Sequence, residues 1–67
     1  MIAEVEKLEK LRKELGFSQK ELSGQLRVHK RTYQDWIYQG NKPSYDNLKK
    51  IEKYLEDHKD VLENINN

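Results

Sequence analysis

Residues 18–37, SQKELSGQLRVHKRTYQDWI, constrain the fold more than any other part of the chain. The stretch reads as two short helices joined by a tight turn. In the second helix, Tyr33, Trp36 and Ile37 share one apolar edge, while Arg31, Gln34, Asp35 and Tyr38 lie on a polar one. At about 100° per residue, Arg31 and Asp35 project almost directly away from the apolar wedge. A buried back and a polar, partly basic front make this helix a candidate reading head for DNA. The rest of the chain then has to hold that head still.

The flanking segments can supply that support. Ile2, Val5, Leu8, Leu11 and Leu15 recur at helical spacing, and Gly16 is a natural terminator. On the other face, Glu6/Lys10 and Glu9/Lys13 stand in the favourable i,i+4 order and read as a solvated surface. Ser18 with Glu21 forms a capping box that opens the second helix, and Leu22 and Leu26 give it a buried edge. Ser23 suits a close helix crossing. Gly24, costly in a helix by about 1 kcal/mol, either permits close approach or weakens the helix. Arg27 and Val28 make the turn, with Val28 plugging the angle between the helices. Residues 38–43, YQGNKP, form a loop that Pro43 closes. Ser44 caps a fourth helix with the stripe Tyr45, Leu48, Ile51 and Leu55, and Asp57 caps a short fifth carrying Val61, Leu62 and Ile65. Asn64, Asn66 and Asn67 suggest fraying at the end. The expected fold is all-α: a compact bundle of four to five helices in one domain over residues 1–67, with helices at about 2–15, 18–26, 29–37, 44–56 and 58–65.

Size limits what such a bundle can do. A chain of 67 residues buries only roughly 60% of its unfolded surface. Hydrophobic residues make up 34% and charged residues 37%, so the core is small, and no cysteine is present to staple it. Efficient helix packing or oligomerisation must compensate. No apolar signal region or membrane span follows Met1, so the chain reads as a cytoplasmic protein that makes no contact with a membrane. The net charge is only +1, but its distribution is uneven. Residues 1–15 balance four acids with four bases. Residues 16–42 carry five bases against two acids, and residues 43–67 carry six acids against four bases. The basic excess therefore lies on the helix pair, an asymmetry that orients a protein in the field of a polyanion.

With these elements in register, the sequence resembles the lambda-repressor-like helix-turn-helix family, also called the Cro/cI or XRE type. The resemblance is carried by LEKLRKELGFSQKEL, QLRV, KRTYQDW and KPS followed by the stripe YxxLxxIxxYL, over roughly residues 8–55. It implies that the third helix lies in the major groove, with its N-terminal residues facing base edges. On that pattern His29, Lys30, Arg31, Gln34 and Asp35 face the bases. Ser18, Gln19, Lys20, Thr32, Tyr38, Asn41 and Lys42 fall on the phosphate-contacting surface, Gln19 matching the family glutamine that bonds a phosphate. Independently of the family, helix N-termini attract phosphates and arginine pairs bidentately with guanine O6 and N7.

Three positions depart from the family pattern. Arg27 stands in the turn where glycine is usual, and a left-handed backbone there costs about 1–2 kcal/mol. Ile37 stands where a glutamate commonly pairs with the residue that is here Arg12, so Arg12 needs another partner or faces solvent. Asp35 stands where a basic or amide residue is commoner; it either accepts from cytosine N4 or holds Arg31 in a fixed rotamer.

Other chemistry finds no support in the residues. His29 and His58 are distant from each other and no cysteine is present, so no metal-ligand spacing is recognisable. Nothing resembles a nucleophile–base pair, a phosphate loop, a cofactor site or a small-molecule effector site. Trp36 reads as core, Tyr45 as core at one end of its helix, and His58 as a solvated surface residue. His29 is open between a partial N-cap and a DNA contact, and Tyr38 between a phosphate contact and a plain surface aromatic. The expected function is sequence-specific binding of double-stranded DNA by a small, non-enzymatic repressor or autoregulator of phage or mobile-element style, associated with the nucleoid when bound. One small domain makes few phosphate contacts, so a homodimer on a two-fold symmetric operator is expected. Tyr54, Leu55, Val61, Leu62 and Ile65 are the interface candidates, though the same residues are equally suited to closing the monomer core. The alternative is a protein-interaction module of the same fold, an antitoxin or assembly factor with weak or no DNA binding.

Overall fold

In the computed structural model, which describes residues 1–66 and all side chains but that of Asn66, five helices follow one another: α1 (Ala3–Leu15), α2 (Gln19–Leu26), α3 (Lys30–Tyr38), α4 (Tyr45–Asp57) and α5 (Lys59–Asn66). No strand occurs among the described residues. The first four helices begin one residue inside the starts expected from sequence, because Ile2, Ser18, His29 and Ser44 are extended N-caps rather than helical residues. α3 and α4 run one residue further than expected, and α5 is displaced by one. α5 stays helical through Asn66; the fraying expected at Asn67 lies outside the described residues.

α1 packs against α4 and α5, and α2 packs against α3 and α4. Val5, Leu8, Leu22, Leu26, Tyr33, Trp36 and Ile51 form the buried cluster where these helices meet. Ser23 is also buried, and its hydroxyl donates to the Lys20 carbonyl at 3.0 Å, so the small residue crosses closely without an orphaned polar atom. Val28 and Ile37 pack against the rim of the cluster. Tyr45 does not reach it. The residue is 72% exposed, its ring set against the Lys49 ammonium 5.2 Å from the centroid rather than against the core.

Both turns before α3 close in the same way. Gly16 has φ 76° at the end of α1, with its N–H and that of Phe17 donating to Lys13 and Arg12 carbonyls. Arg27 has φ 59° and ψ 43°, and the N–H groups of Arg27 and Val28 donate to Gly24 and Ser23 at 3.1 and 3.0 Å. This is the Schellman closure, which glycine adopts without penalty. An arginine in that conformation costs about 1–2 kcal/mol.

One polar network joins α1 to α3. The Arg12 guanidinium donates from Nε and a terminal nitrogen to the two Glu9 carboxylate oxygens, both at 2.9 Å, and from its other terminal nitrogen to the Phe17 carbonyl at 2.7 Å. The Tyr33 hydroxyl donates to Glu9 Oε1 at 2.6 Å. This answers the question raised by Ile37: Arg12 takes Glu9 as its partner. It also corrects the reading of Glu9 as solvated. Glu9 and Arg12 are only 13% and 15% exposed, and neither Glu6/Lys10 nor Glu9/Lys13 forms an ion pair among the described residues. Burial pushes the Glu9 carboxyl up, but hydrogen bonds from Arg12 and Tyr33 outweigh it and hold the group below the usual carboxylate range. Burial, then the bond to Glu9, pushes the Tyr33 hydroxyl up.

A Cβ built on Gly24 meets nothing within 4 Å, so the glycine provides no close approach. Gly24→Ala should stabilise the protein by about 0.5–1 kcal/mol in chemical denaturation. Tyr33→Phe removes a bond to a charged group and should cost about 1.5–3 kcal/mol. Because the folded-state pKa of Glu9 is depressed, its contribution is present above the unfolded value near pH ~4 and lost as pH falls below it. Tyr33 has the opposite sign: its contribution is full below about pH 10 and lost as pH rises beyond. Glu9→Gln should therefore flatten the acid limb of a stability–pH curve.

Candidate nucleic-acid interface

α3 is built to present one face. Tyr33 and Trp36, with ring centroids 5.7 Å apart, are inserted into the core. Away from that edge stand Arg31, exposed, and Gln34 and Asp35, half-buried, while Lys30, exposed, and Thr32, half-buried, lie on its flanks. His29 caps the helix: its Nδ1 accepts the Arg31 N–H at 3.3 Å. That leaves the other ring nitrogen outward, so capping and an external contact are compatible at this residue.

Arg31 and Asp35 form a pair. Arg31 Nε lies 3.3 Å from Asp35 Oδ1, with the two side chains 79% and 32% exposed. An arginine has five donors in a fixed fork, and this bond uses only Nε–H. Among the described residues the two terminal nitrogens make no bond, and the carboxylate on Nε orients them. An exposed pair of this kind adds little stability; its effect is on direction.

A second set of bonds ties the start of α2 to the same face. Gln34 Nε2 donates to Gln19 Oε1 at 3.4 Å, a long bond, and Gln19 Nε2 donates to the Tyr38 hydroxyl at 3.1 Å. Each amide keeps one free N–H, so Gln19 can still donate to a phosphate. Tyr38 is 65% exposed yet is not a plain surface aromatic, because its hydroxyl holds Gln19. Ser18 and Glu21 complete the expected capping box, with both bonds at 3.0 Å. The backbone bond from Ser18, then that residue's side chain, holds the Glu21 carboxyl below the usual range. Ser18 Oγ is thus engaged as an acceptor, while Lys20 is exposed beside it. Beyond α3, the Asn41 N–H donates to the Asp35 carbonyl at 3.2 Å, which folds the loop back under the helix. Asn41 and the neighbouring Lys42 are exposed.

Hydrogen bonds thus join His29 to Arg31 and Arg31 to Asp35, and tie Gln34 through Gln19 to Tyr38, while Lys20, Lys30 and Lys42 are exposed. The side-chain links among Gln19, Gln34 and Tyr38 were not foreseen: nothing in their spacing signals that two helices bring them together. The interface candidates lie elsewhere and are partly spent inside the monomer. Leu55 packs on the core, and Val61, Leu62 and Ile65 are half-buried on α5, which lies against α1. The Tyr54 hydroxyl donates to Gln25 Oε1 at 2.7 Å. Burial pushes that hydroxyl up. The Tyr54 ring stacks on His58 with centroids 4.2 Å apart, and His58 Nδ1 lies 2.8 Å from the Tyr54 carbonyl. His58 is half-buried rather than a solvated surface residue, because the end of α4 folds its ring back over Tyr54.

A helix-turn-helix family model matches residues 8–56, a span that takes in α1 from Leu8, the whole of α2 and α3, and α4 almost to its end. No curated protein matches the chain, and no solved structure does. No described helix is long and apolar enough to cross a membrane.

Proposed function

The chain belongs to the Cro/cI-type helix-turn-helix family, the XRE group, and on that premise we propose that it is a sequence-specific reader of double-stranded DNA. α3 enters the major groove and acts there as the recognition helix. Family membership supports DNA binding in general; the observation that carries sequence specificity is the Arg31–Asp35 pair. A carboxylate on an otherwise basic face repels phosphate, so its presence needs a reason. Holding the arginine fork in one rotamer for a guanine O6/N7 edge is that reason. Gln34, braced by Gln19, offers an amide to a neighbouring base, and Lys30 and His29 stand at the leading end. Gln19, Lys20, Thr32, Tyr38, Asn41 and Lys42 set the register through the sugar–phosphate backbone, with Ser18 beside them.

We read the protein as a small cytoplasmic repressor or autoregulator of phage or mobile-element style, associated with the nucleoid when bound, that blocks or marks a site by occupying it. A single module makes few phosphate contacts, so a homodimer on a two-fold symmetric operator is proposed, with half-sites about one helical turn (roughly 34 Å) apart. Val61, Leu62 and Ile65, half-buried in the monomer, are the residues best able to extend into that contact.

Arg31→Ala should relax sequence preference at one base position, worth roughly 1–3 kcal/mol, while Lys42→Ala weakens all duplexes evenly and lowers the salt slope by about one. Salt titration of duplex binding, on wild type and both variants, checks this. Unchanged preference in Arg31→Ala would remove that residue from the reading role. No duplex binding even at low salt would turn the reading toward a protein-interaction module of the same fold.

A further inference from the structure

We propose that the cleft between the helix turn and α4 is a second anion site, in which Arg27, Lys50 and Lys53 hold a backbone phosphate outside the groove that α3 occupies. The inference rests on the duplex-reading function proposed above and extends its footprint.

The first observation is the backbone of Arg27. It takes a left-handed conformation, φ 59°, that a glycine adopts without strain. Its side chain is exposed and makes no hydrogen bond or ion pair among the described residues. The turn's backbone bonds hold this conformation, but no hydrogen bond or ion pair among the described residues requires an arginine there, and strain of this kind concentrates where a side chain has work outside the fold. The second observation is that the turn gathers further cations. Lys50 Nζ donates to the Arg27 carbonyl at 3.2 Å, which brings an ammonium from α4 to the turn, and Lys50 and Arg27 line the same cleft. Lys53, one turn further along α4, lines the same cleft, a space of about 250 Å³ with Leu26 and Tyr54 among its other lining residues. Three bases there face one acid, Asp57, whose carboxylate lies 3.6 Å from Lys53 Nζ.

The shape and charge suit a phosphate held by a guanidinium fork and flanked by ammonium groups. Location points to the duplex as its source. Arg27 lies two residues before the N-cap of α3, at the end of the reading helix that also carries Lys30 and Arg31. DNA seated on that end brings a dense row of phosphates past the turn, one charge per about 1.7 Å of axis.

Arg27→Gly separates this role from a structural one, because fold and binding should move in opposite directions. The variant should melt several degrees higher, since the turn loses its strain. It should nevertheless bind every duplex less tightly, up to about tenfold at 0.1 M salt, with the slope of log K against log salt smaller by about one. Arg27→Lys should keep most of the binding. Lys53→Gln, at an exposed position, should also lower the slope with no change in preferred sequence. If wild type binds duplex DNA and Arg27→Gly binds with the same affinity and slope, the cleft is not a phosphate site. If Arg27→Gly instead loses binding of a poly-glutamate peptide while its duplex slope is unchanged, the cleft serves an acidic protein surface and the proposal is likewise overturned. Failure of wild type to bind duplex DNA at any salt would sink the duplex-reading function itself, an outcome distinguishable from either.

Discussion

The Glu9 carboxylate is the point on which the orientation of α3 depends. α3 is nine residues long, too short to persist as an isolated helix in water. Its burial through Tyr33 and Trp36 supplies attraction, but apolar contact is non-directional. Direction comes from the Tyr33 hydroxyl on Glu9 and from Arg12, which grips the same carboxylate and the Phe17 carbonyl. One carboxylate thereby ties α1, the loop into α2, and the back of α3. Each member is satisfied: no buried side-chain nitrogen or oxygen among the described residues lacks a partner. A network this complete rigidifies, whereas a half-satisfied one would destabilise.

On the exposed side the same logic recurs with weaker bonds. Arg31 is directed by Asp35, and Gln34 by Gln19, which Tyr38 holds in turn. These contacts add little to stability in water. They reduce the conformational freedom that recognition would otherwise have to remove, the general advantage of a preorganised surface. Asp35 lowers the net positive charge of the face, so on the proposed reading it trades nonspecific attraction for alignment of Arg31. That trade suits a protein whose total charge is only +1 and whose basic groups must therefore be placed rather than merely numerous.

The skeleton of this arrangement was legible in the sequence because it rests on local rules. The Ser18/Glu21 capping box, the Tyr33/Trp36 edge and the helical stripe of α1 all depend on residues a few positions apart. The left-handed turn at Arg27 is legible by a different route, because the family pattern has glycine there. What escaped notice joins residues far apart in the chain. Glu9 was read with Lys13 on its own helix, yet it is claimed by Tyr33 from α3. Tyr45 follows the stripe of α4, but the stripe meets the buried cluster only further along the helix, at Ile51, and spacing alone does not show where that begins. His58 carried no periodic signal at all, and its stacking on Tyr54 depends on how α4 ends. Lys50 at the turn is of the same kind: next to Ile51 in the chain, it reads simply as the solvent side of a helix.

The most direct measurement of the central claim is selection of bound duplexes from a random pool with the wild-type protein at low salt. A reading head held as described should enrich a defined sequence containing guanine opposite Arg31, repeated as a palindrome if two copies bind together. Recovery of an unenriched pool, or of no bound duplex, would contradict it.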